Sequence, residues 1–494
     1  MSNILGISCG FHDAGVSVLS DKGEILFASH SERFSKQKHD ADLCPSILNY
    51  ARTYGDIETI AYYENHWIKK FRQWRAKQKI DRNVSLRGVL KHQLIPQLQN
   101  KELVSYGHHL SHAAAGFQTS SFTTATVVVI DAIGELDTIS IWNAEYDLNG
   151  RATYKLLWSQ EYPHSIGLFY SAMTARVGLR PLDEEYILMG MAAYGDAVYS
   201  GEMLERYIES VSQLTFKENL HIGIGLDVFG KDANEYDIAS SAQQVVEGLI
   251  YAVMEHARNI SPSKNLVYMG GVALNCLANR NLGKYFDNVW IMPNPGDAGS
   301  SLGAAALKYG KKVWWDNAYL GYEIGGKYPV RELLDELLTN KIVGVASGRA
   351  EFGPRALGNR SLLADPRGPE IKDKVNEIKK RQKFRPFAPV ILEECVDSYF
   401  EMPAAMETSP YMQVTALCKK PDEFPAIIHK DGTSRVQTVP KDGSGIRRLL
   451  EEWLTLTGCP MLLNTSLNIR GEPMVNDIDD AKRFEQEYGV KVCS

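Results

Sequence analysis

The first 30 residues alternate short apolar runs with turn residues. ILGISC, VSVLS and ILFASH are strand-sized, and GFHDAG and DKGE separate them. Because Gly and Asp favour turns, this pattern predicts a meander of three strands. The same pattern returns after His108, where TATVVVID, SIWNA and TYKLLWSQ are interrupted by a DLNG turn. Two meanders of one form predict an internally duplicated α/β fold.

Helix-prone segments follow the second meander, at 167–177 and 242–258. After them come an apolar strand-like run, NLVYMGG, and an alanine-rich helical segment that a loop at Asp297 introduces. The stretch 320–332 is punctuated by Gly and Pro, and KIVGVAS begins a new strand-rich unit beyond it. We therefore predict two domains, at residues 1–325 and 326–494.

Composition narrows the class of protein. With 44% hydrophobic residues and a net charge of −6, the 494-residue chain can bury large cores, which excludes wholesale disorder. The sequence contains neither a run long enough to cross a membrane nor an export signal, so we expect a cytoplasmic protein with no membrane partner. Seven scattered cysteines without a CxxC pair predict free thiols.

One stretch departs from this acidic balance. Between Trp67 and Lys101 the chain is rich in Lys and Arg, and Asp81 is its only acid. Such a stretch is typical of a solvated helical face, and it is also compatible with attraction of an anionic partner.

Two histidines in SYGHHLSHAAAGF, His108 and His112, have the spacing of one helical turn. On a helix they share one face, as two ligands of one metal do. Asp297, in NPGDAGSS, offers a carboxylate at a predicted strand-to-helix turn. Two histidines and one carboxylate leave coordination positions open, and this set favours iron(II) or a similar divalent ion over a closed zinc site.

Asp131 ends the apolar strand TVVVID, where a carboxylate faces the ligand crevice of an open α/β sheet. NLVYMGGVALN follows the same logic. Gly270 and Gly271 allow a ligand close to the backbone, and Asn275 adds an amide. Both patterns suit a bound ligand, although a strand-end cap would explain Asp131 equally well.

The second unit concentrates cations and hydrogen-bonding side chains. Arginines alternate with Gly and Pro in GRAEFGPRALGNRS, a pattern typical of a rigid loop that clamps phosphate or carboxylate groups. IKKRQKFRPFAP, HKDGTSRVQTV and LLNTSLNIRGEP continue this pattern. The candidate phosphate-binding residues are Arg355, Arg360, Lys379, Arg385, His429, Arg435, Asn464 and Ser466.

The ordered blocks resemble one family. GFHDAGVSVLSDKGEILFASHSERFSKQKHD, HHLSHA, DEEYILMGMAAYG and GGVALNCLANR, followed by the four blocks of the second unit, are similar to the signature blocks of O-carbamoyltransferases. The resemblance covers nearly the whole chain. One position differs, because Ile187 stands where the family usually has lysine.

The resemblance implies an actin-like ATPase (Kae1-like) domain followed by a YrdC-like α/β domain. It implies that the YrdC-like domain forms carbamoyl adenylate from carbamoyl phosphate and ATP, with Mg²⁺, and that the Kae1-like domain transfers the carbamoyl group to a hydroxylated small-molecule acceptor.

Site roles follow from the same resemblance. It implies iron ligation by His108, His112 and Asp297, and nucleotide binding by Gly270, Gly271 and Asn275. His12 and Asp131 become the expected catalytic residues, His12 beside the acceptor and Asp131 beside the adenylate. It also allows a homodimer.

Two other functions stay open at this point. The basic stretch could serve an enzyme that carbamoylates a nucleotide or nucleic acid. Against this, the basic residues of the second unit, without interleaved exposed aromatics, favour small phosphorylated ligands. A catalytically silent nucleotide-binding scaffold is the third hypothesis.

Overall fold

The chain forms two compact units. The computed structural model describes residues 2–75 and 85–494. The first unit comprises residues up to Ser31 together with His39–Asp316, and the second comprises Glu32–Lys38 together with Asn317–Ser494. A short segment from the N-terminal region, with helix α1 at Glu32–Ser35, thus belongs to the second unit. The functions that we assign to the two domains stay predictions.

The first sheet of unit 1 has five strands in the order β3-β2-β1-β4-β5. Strands β1, β2 and β3 form the antiparallel meander that the turn residues predicted, and β4 and β5 are parallel to β1. The elements of this half are β1 Ser2–Ser8, β2 Gly15–Leu19, β3 Ile25–His30, α2 Pro45–Arg52, β4 Asp56–Tyr62, α3 His66–Arg75, α4 Leu86–Leu90, β5 Glu102–Ser105 and α5 His108–Thr119.

The second sheet repeats this topology. Its order is β12-β11-β6-β7-β8, with an antiparallel meander and two further strands parallel to its first strand. The elements are β6 Thr124–Gly134, β7 Asp137–Tyr146, β8 Ala152–Glu161, α6 Ile166–Arg176, α7 Glu185–Met191, α8 Ser200–Tyr207, β9 Ile208–Ser210, β10 Thr215–Phe216, α9 Glu235–Ile260, β11 Asn265–Met269, α10 Cys276–Asn279, β12 Asn288–Trp290 and α11 Ser300–Tyr309. The predicted internally duplicated α/β fold is confirmed.

Helices α5 and α11 pack at unusually short range. A Cβ on Gly303 would lie 1.8 Å from the carbonyl oxygen of Ser111, so only glycine permits this approach. The alanines on both helices are buried, which keeps the contact dry and close. This packing fixes the face of α5 that carries His108 and His112.

Unit 2 is a second α/β layer arrangement, as the sequence predicted. Its main sheet has the order β21-β17-β22-β16-β14-β23, with antiparallel pairing from β17 to β14. A buried apolar cluster that includes Trp453 and Leu463 packs on it. The elements are β13 Tyr319–Ile324, α12 Val330–Asn340, β14 Ile342–Ala346, β15 Gly348–Glu351, β16 Arg360–Ala364, α13 Ile371–Ile378, β17 Ala388–Leu392, α14 Val396–Tyr399, β18 Phe400–Glu401, β19 Thr415–Cys418, β20 Thr433–Arg435, β21 Gln437–Val439, α15 Gly445–Thr457, β22 Met461–Ser466, α16 Ile478–Tyr488 and β23 Val492–Cys493.

The structure bears on three smaller features of the sequence. The seven cysteines are free thiols, as expected. Among the described residues, no helix is long and apolar enough to span a membrane. The basic stretch contains α3 and α4, while its central part, residues 76–84, lies outside the described residues.

Candidate active site and metal centre

Three chain segments of unit 1 converge on one buried point. His108 and His112 lie one turn apart at the start of α5, as their spacing predicted. Asp131 lies in β6, and Asp297 opens the turn that leads into α11. All four side chains are buried, and one ligand atom from each lies within 4.8 Å of the other three. The fold therefore joins the three predicted metal ligands and adds Asp131 to them.

The contacts within this cluster are short. The two Nε2 atoms of His108 and His112 are 3.1 Å apart. From His112 Nε2, Asp131 Oδ2 is at 3.2 Å and Asp297 Oδ1 is at 3.3 Å. From His108 Nε2 the same two oxygens lie at 3.4 and 3.3 Å. Two nitrogens and two oxygens thus face a common centre.

Both carboxylates of this buried cluster are held in their ionised form. Burial raises the pKa of both Asp131 and Asp297, but the neighbouring imidazoles outweigh burial and lower the pKa of Asp297 to about 2. Burial likewise lowers the pKa of His108 and His112, yet the carboxylates raise both. The cluster therefore holds two negative charges, which two protons or one divalent cation can neutralise. Metal binding would release protons from the histidines.

The donor set fits a divalent ion. With metal–ligand bonds of about 2.1 Å, neighbouring ligands lie about 3.0 Å apart in an octahedron and about 3.4 Å apart in a tetrahedron. The observed separations of 3.1–3.4 Å fall within this interval. Two imidazoles with carboxylates are a set that iron(II) enzymes use, with positions left for substrate. Asp131 could be a fourth ligand here, a role that the sequence did not predict.

A third carboxylate, Glu64, lies beside the other ring nitrogen of His108. Glu64 Oε1 lies 3.5 Å from His108 Nδ1, and Lys69 donates to Glu64 Oε2 at 2.8 Å. Burial raises the pKa of Glu64, but Lys69 and His108 bring it down to about 2. An ionised Glu64 favours the Nδ1–H form of His108, which leaves Nε2 as the metal-binding nitrogen.

His12 lies at the edge of the same region, in the loop between β1 and β2. Its Nδ1 donates to Asp13 Oδ2 at 3.0 Å. Burial lowers the pKa of His12, but the bond to Asp13 and the fields of Asp297 and Asp131 raise it to about 9. The two carboxylates of the buried cluster thus favour the protonated form of His12.

The predicted nucleotide-binding glycines abut Asp131. Gly270 has φ +91°, and a Cβ there would lie 2.1 Å from the carbonyl oxygen of Ile130, so the position requires glycine. A Cβ on Gly271 would lie 3.3 Å from Asp131 Oδ1. Asn275 exchanges two amide hydrogen bonds with Gln243, at 3.0 and 3.1 Å. Nucleotide binding by this group stays a prediction.

The residues of unit 2 that were predicted to bind phosphate differ in the groups they contact. Arg360 is fully buried, and its guanidinium donates to five backbone carbonyls. With its donors engaged in this way, Arg360 holds the backbone of unit 2, and its contact with a ligand stays a prediction.

Lys379 and Ser466 come together. Lys379 Nζ is buried and donates to Ser466 Oγ at 3.2 Å and to Asn468 Oδ1 at 2.9 Å. Burial lowers the pKa of Lys379 well below its usual value, and the positive charges of Arg381 and Arg385 lower it further. Lys379 therefore fastens the loop that follows β22.

The other predicted residues occupy neighbouring loops and strand ends. Asn464 donates to the carbonyl of Ala356, next to Arg355, at 3.0 Å, and to Gln437 Oε1 at 2.7 Å. Arg435 ends β20, and His429 Nδ1 lies 3.6 Å from Asp431 in the preceding turn. Arg385 is half-buried before β17. Contact of these residues with phosphate stays a prediction.

Comparison with known proteins identifies the family. The Carbamoyltransferase N-terminus family matches residues 49–306, and the Carbamoyltransferase C-terminus family matches residues 334–493. The chain therefore belongs to the carbamoyltransferase family, as the resemblance predicted, and it is a transferase.

Three relatives illustrate this membership. The uncharacterized protein sll1178 of Synechocystis sp. is 32% identical over 99% of this chain and 96% of its own. Nodulation protein NolNO of Sinorhizobium fredii is 30% identical over 97% of this chain and 77% of its own. The 3'-hydroxymethylcephem-O-carbamoyltransferase of Amycolatopsis lactamdurans is 26% identical over 97% and 95%, respectively.

Sequence reasoning missed the supporting carboxylates. Glu64 gives no motif signal, because its link to His108 exists only once β4 and α5 are neighbours. Asp13 was readable, since it directly follows His12 within GFHDAG. An acid beside a candidate base is the signal that would have found it.

Proposed function

We propose that this protein is an ATP-dependent O-carbamoyltransferase that makes carbamoyl adenylate and passes its carbamoyl group to an acceptor hydroxyl. The observation that carries the proposal is the buried convergence of His108, His112, Asp131 and Asp297, with His12 electrostatically coupled to it. Family membership supports carbamoyl transfer. The hydroxymethyl acceptor in the name of the Amycolatopsis relative supports oxygen as the atom that is carbamoylated.

Activation comes first, and we assign it to unit 2. Carbamoyl phosphate, ATP and water give carbamoyl adenylate, phosphate and pyrophosphate, which balances all four phosphorus atoms. Arg355, Arg385, His429 and Arg435 would bind the phosphate groups, and Mg²⁺ would accompany ATP. Activation is needed because the carbamoyl nitrogen donates electrons into the carbonyl and makes its carbon a poor electrophile.

Transfer follows in unit 1. The acceptor oxygen forms a bond to the carbamoyl carbon, the bond from that carbon to the AMP phosphate oxygen breaks, and AMP leaves. His12 Nε2 takes the hydroxyl proton, because Nδ1 is already bonded to Asp13. A divalent ion, which we propose is iron(II), would supply positive charge for the carbonyl oxygen and offset the two carboxylates that raise the pKa of His12.

Position contributes as well. Holding the hydroxyl and the adenylate together removes much of the entropic barrier of a bimolecular reaction. Gly270 and Gly271 would let the adenylate approach the backbone beside Asp131.

Pyrophosphate release tests the proposal. Protein loaded with iron(II) receives Mg²⁺, ATP and carbamoyl phosphate without an acceptor, and pyrophosphate is measured for wild type and three variants. We expect release by wild type and by Arg448→Ala, whose exposed arginine serves as the control, and loss with Arg355→Ala. His108→Ala should still release pyrophosphate but fail to carbamoylate any of a panel of hydroxylated acceptors.

Other results would contradict the proposal. Equal release by wild type and Arg355→Ala would place activation elsewhere. Tight ATP binding without turnover across the acceptor panel would favour the nucleotide-binding scaffold.

A further inference from the structure

A chain of ionisable side chains leads away from His12. Asp13 accepts from His12 Nδ1 through Oδ2, and its other oxygen, Oδ1, lies 2.7 Å from His39 Nδ1. His39 Nε2 in turn lies 2.5 Å from Asp183 Oδ1. Asp183 Oδ2 pairs with Arg180 at 2.8 Å. We call these five residues the His12 network, and all of them lie in unit 1.

Two carboxylates flank the His39 ring, Asp13 at its Nδ1 and Asp183 at its Nε2. Because carboxylates are negatively charged and only accept hydrogen bonds, this pair favours the cationic form of the ring. A cationic His39 would compensate the charge of Asp13, so that this carboxylate stays ionised and can hold His12 by Nδ1, which leaves Nε2 for a substrate.

The backbone at Asp13 and His39 has an unusual conformation that supports this arrangement of side chains. Asp13 and His39 have φ values of +51° and +55°, a left-handed conformation that non-glycine residues rarely adopt. Two backbone hydrogen bonds join their loops, from Gly10 to Ala41 at 2.7 Å and from Ala14 to Asp40 at 2.8 Å. Strain of this kind persists only where the surroundings enforce it.

The loop that presents Asp183 is fastened too. Glu184 Oε2 accepts from the backbone N–H of Arg180 at 3.0 Å, and Glu185 Oε1 accepts from that of Leu182 at 2.5 Å. Three separate sequence blocks, GFHDAG, QKHD and DEEY, thus meet in one continuous network.

We propose that His39 and Asp183 are positioning residues for carbamoyl transfer, acting through Asp13 to fix the ring orientation of His12. This inference rests on the proposed function, because it concerns the acceptor-side base. The orientation of the His12 ring does not decide the chemical class of the acceptor. It decides how fast the proton is removed from the acceptor hydroxyl.

The test separates transfer from activation. Asp183→Asn keeps the size of the side chain but removes the charge that holds His39. We expect the kcat of carbamoyl transfer to fall about 10- to 100-fold, part of the roughly 100- to 10,000-fold that a general base contributes. The acceptor KM and acceptor-free pyrophosphate release should stay within about twofold of wild type. Asp40→Asn, in the same loop as His39, is the matched control.

A spectroscopic measurement makes the test independent of turnover. Full-length protein with ¹⁵N-labelled histidine should show a downfield, hydrogen-bonded Nδ1–H signal for His12, assigned by its absence in His12→Gln. Asp183→Asn and His39→Gln should shift or broaden it, while His92→Gln, an exposed control, should not. Should Asp183→Asn fail to fold, His39→Gln provides the same readouts.

The outcomes are distinguishable. An unchanged His12 signal and unchanged kcat in both variants would overturn the positioning role while leaving the proposed function intact. Absence of any carbamoyl transfer by wild type would defeat the proposed function, and the His12 signal would still report whether His39 and Asp183 orient the ring.

Discussion

His108 Nε2 and His112 Nε2 lie 3.1 Å apart, and each is 3.2–3.4 Å from the same two carboxylate oxygens. Nitrogen and oxygen ligands of one divalent cation are expected at such separations. The spacing of four along α5 sets this separation, and the packing of α11 against α5 brings Asp297 to it. The convergence of the four donor atoms is therefore a consequence of helix packing.

Glu64→Gln should weaken metal binding. The amide cannot stabilise the Nδ1–H of His108 as the carboxylate does, and loss of such a supporting contact costs about 10- to 100-fold in metal affinity. Competition of iron(II) or cobalt(II) against a chelating dye measures the affinity. Glu58→Gln, at an exposed position of strand β4, which precedes Glu64, should leave it unchanged. Equal affinities in the two variants would show that Glu64 does not support the site.

Gly303→Ala should destabilise unit 1 and lower its metal content. The new Cβ would meet the Ser111 carbonyl oxygen at 1.8 Å, so α5 must move, at a cost of about 1–3 kcal/mol. Gly248→Ala is the opposite case, because that position on α9 has no atom near its Cβ, and about 1 kcal/mol of stabilisation is expected. Chemical denaturation and metal analysis measure both effects. An unchanged free energy of unfolding in Gly303→Ala would contradict the close packing.

Arg360→Lys should destabilise unit 2 without acting on ligands directly. A lysine has three donors in place of five, so at least two buried carbonyls lose their partner, which costs about 3 kcal/mol in the free energy of unfolding. Urea denaturation gives this value, and Arg448→Lys on the exposed side of α15 is the control. Weaker ATP or carbamoyl phosphate binding at unchanged stability would instead make Arg360 a ligand contact.

Asp431→Asn should change the pH dependence of stability. Burial raises the pKa of Asp431, but His429 and Thr433 lower it to about 2. Since the folded-state pKa is depressed, ionised Asp431 stabilises the fold above its unfolded pKa of about 4, and this contribution disappears as the pH falls to about 2. With partial solvent exposure we expect a loss of about 1 kcal/mol at pH 7 and none near pH 2. Unfolding of wild type, Asp431→Asn and the exposed control Asp422→Asn across this range measures it, and a pH-independent difference would contradict the assignment.

Local pattern sufficed for much of the fold. The meanders at the start of each sheet were readable because their apolar runs and turn residues are adjacent in sequence. The pairing of β4 with β1, or of β11 with β6, joins segments far apart in the chain, and only the resemblance implied it. The placement of Glu32–Lys38 in unit 2 had no local signal at all.

The candidate site divides in the same way. His108 and His112 were predictable from spacing, because a helix places them together. The strand-end position of Asp131 indicated a ligand crevice, and only the resemblance implied its place beside the adenylate. Its contact with both histidines depends on how β6 packs on α5. Arg360 shows a limit of prediction from sequence. An arginine in a Gly-rich segment gives the same sequence pattern whether it binds phosphate or backbone carbonyls.

One measurement tests the central claim most directly. A single turnover with ¹³C-carbamoyl phosphate, ATP, Mg²⁺ and iron(II)-loaded protein is followed by ¹³C and ³¹P NMR after rapid quenching. We predict transfer of the label from phosphate to an AMP ester, with stoichiometric pyrophosphate, and then to a carbamate ester when a hydroxylated acceptor is added. Carbamoylation of the acceptor with ATP left intact, or label that never reaches AMP, would contradict the adenylate route.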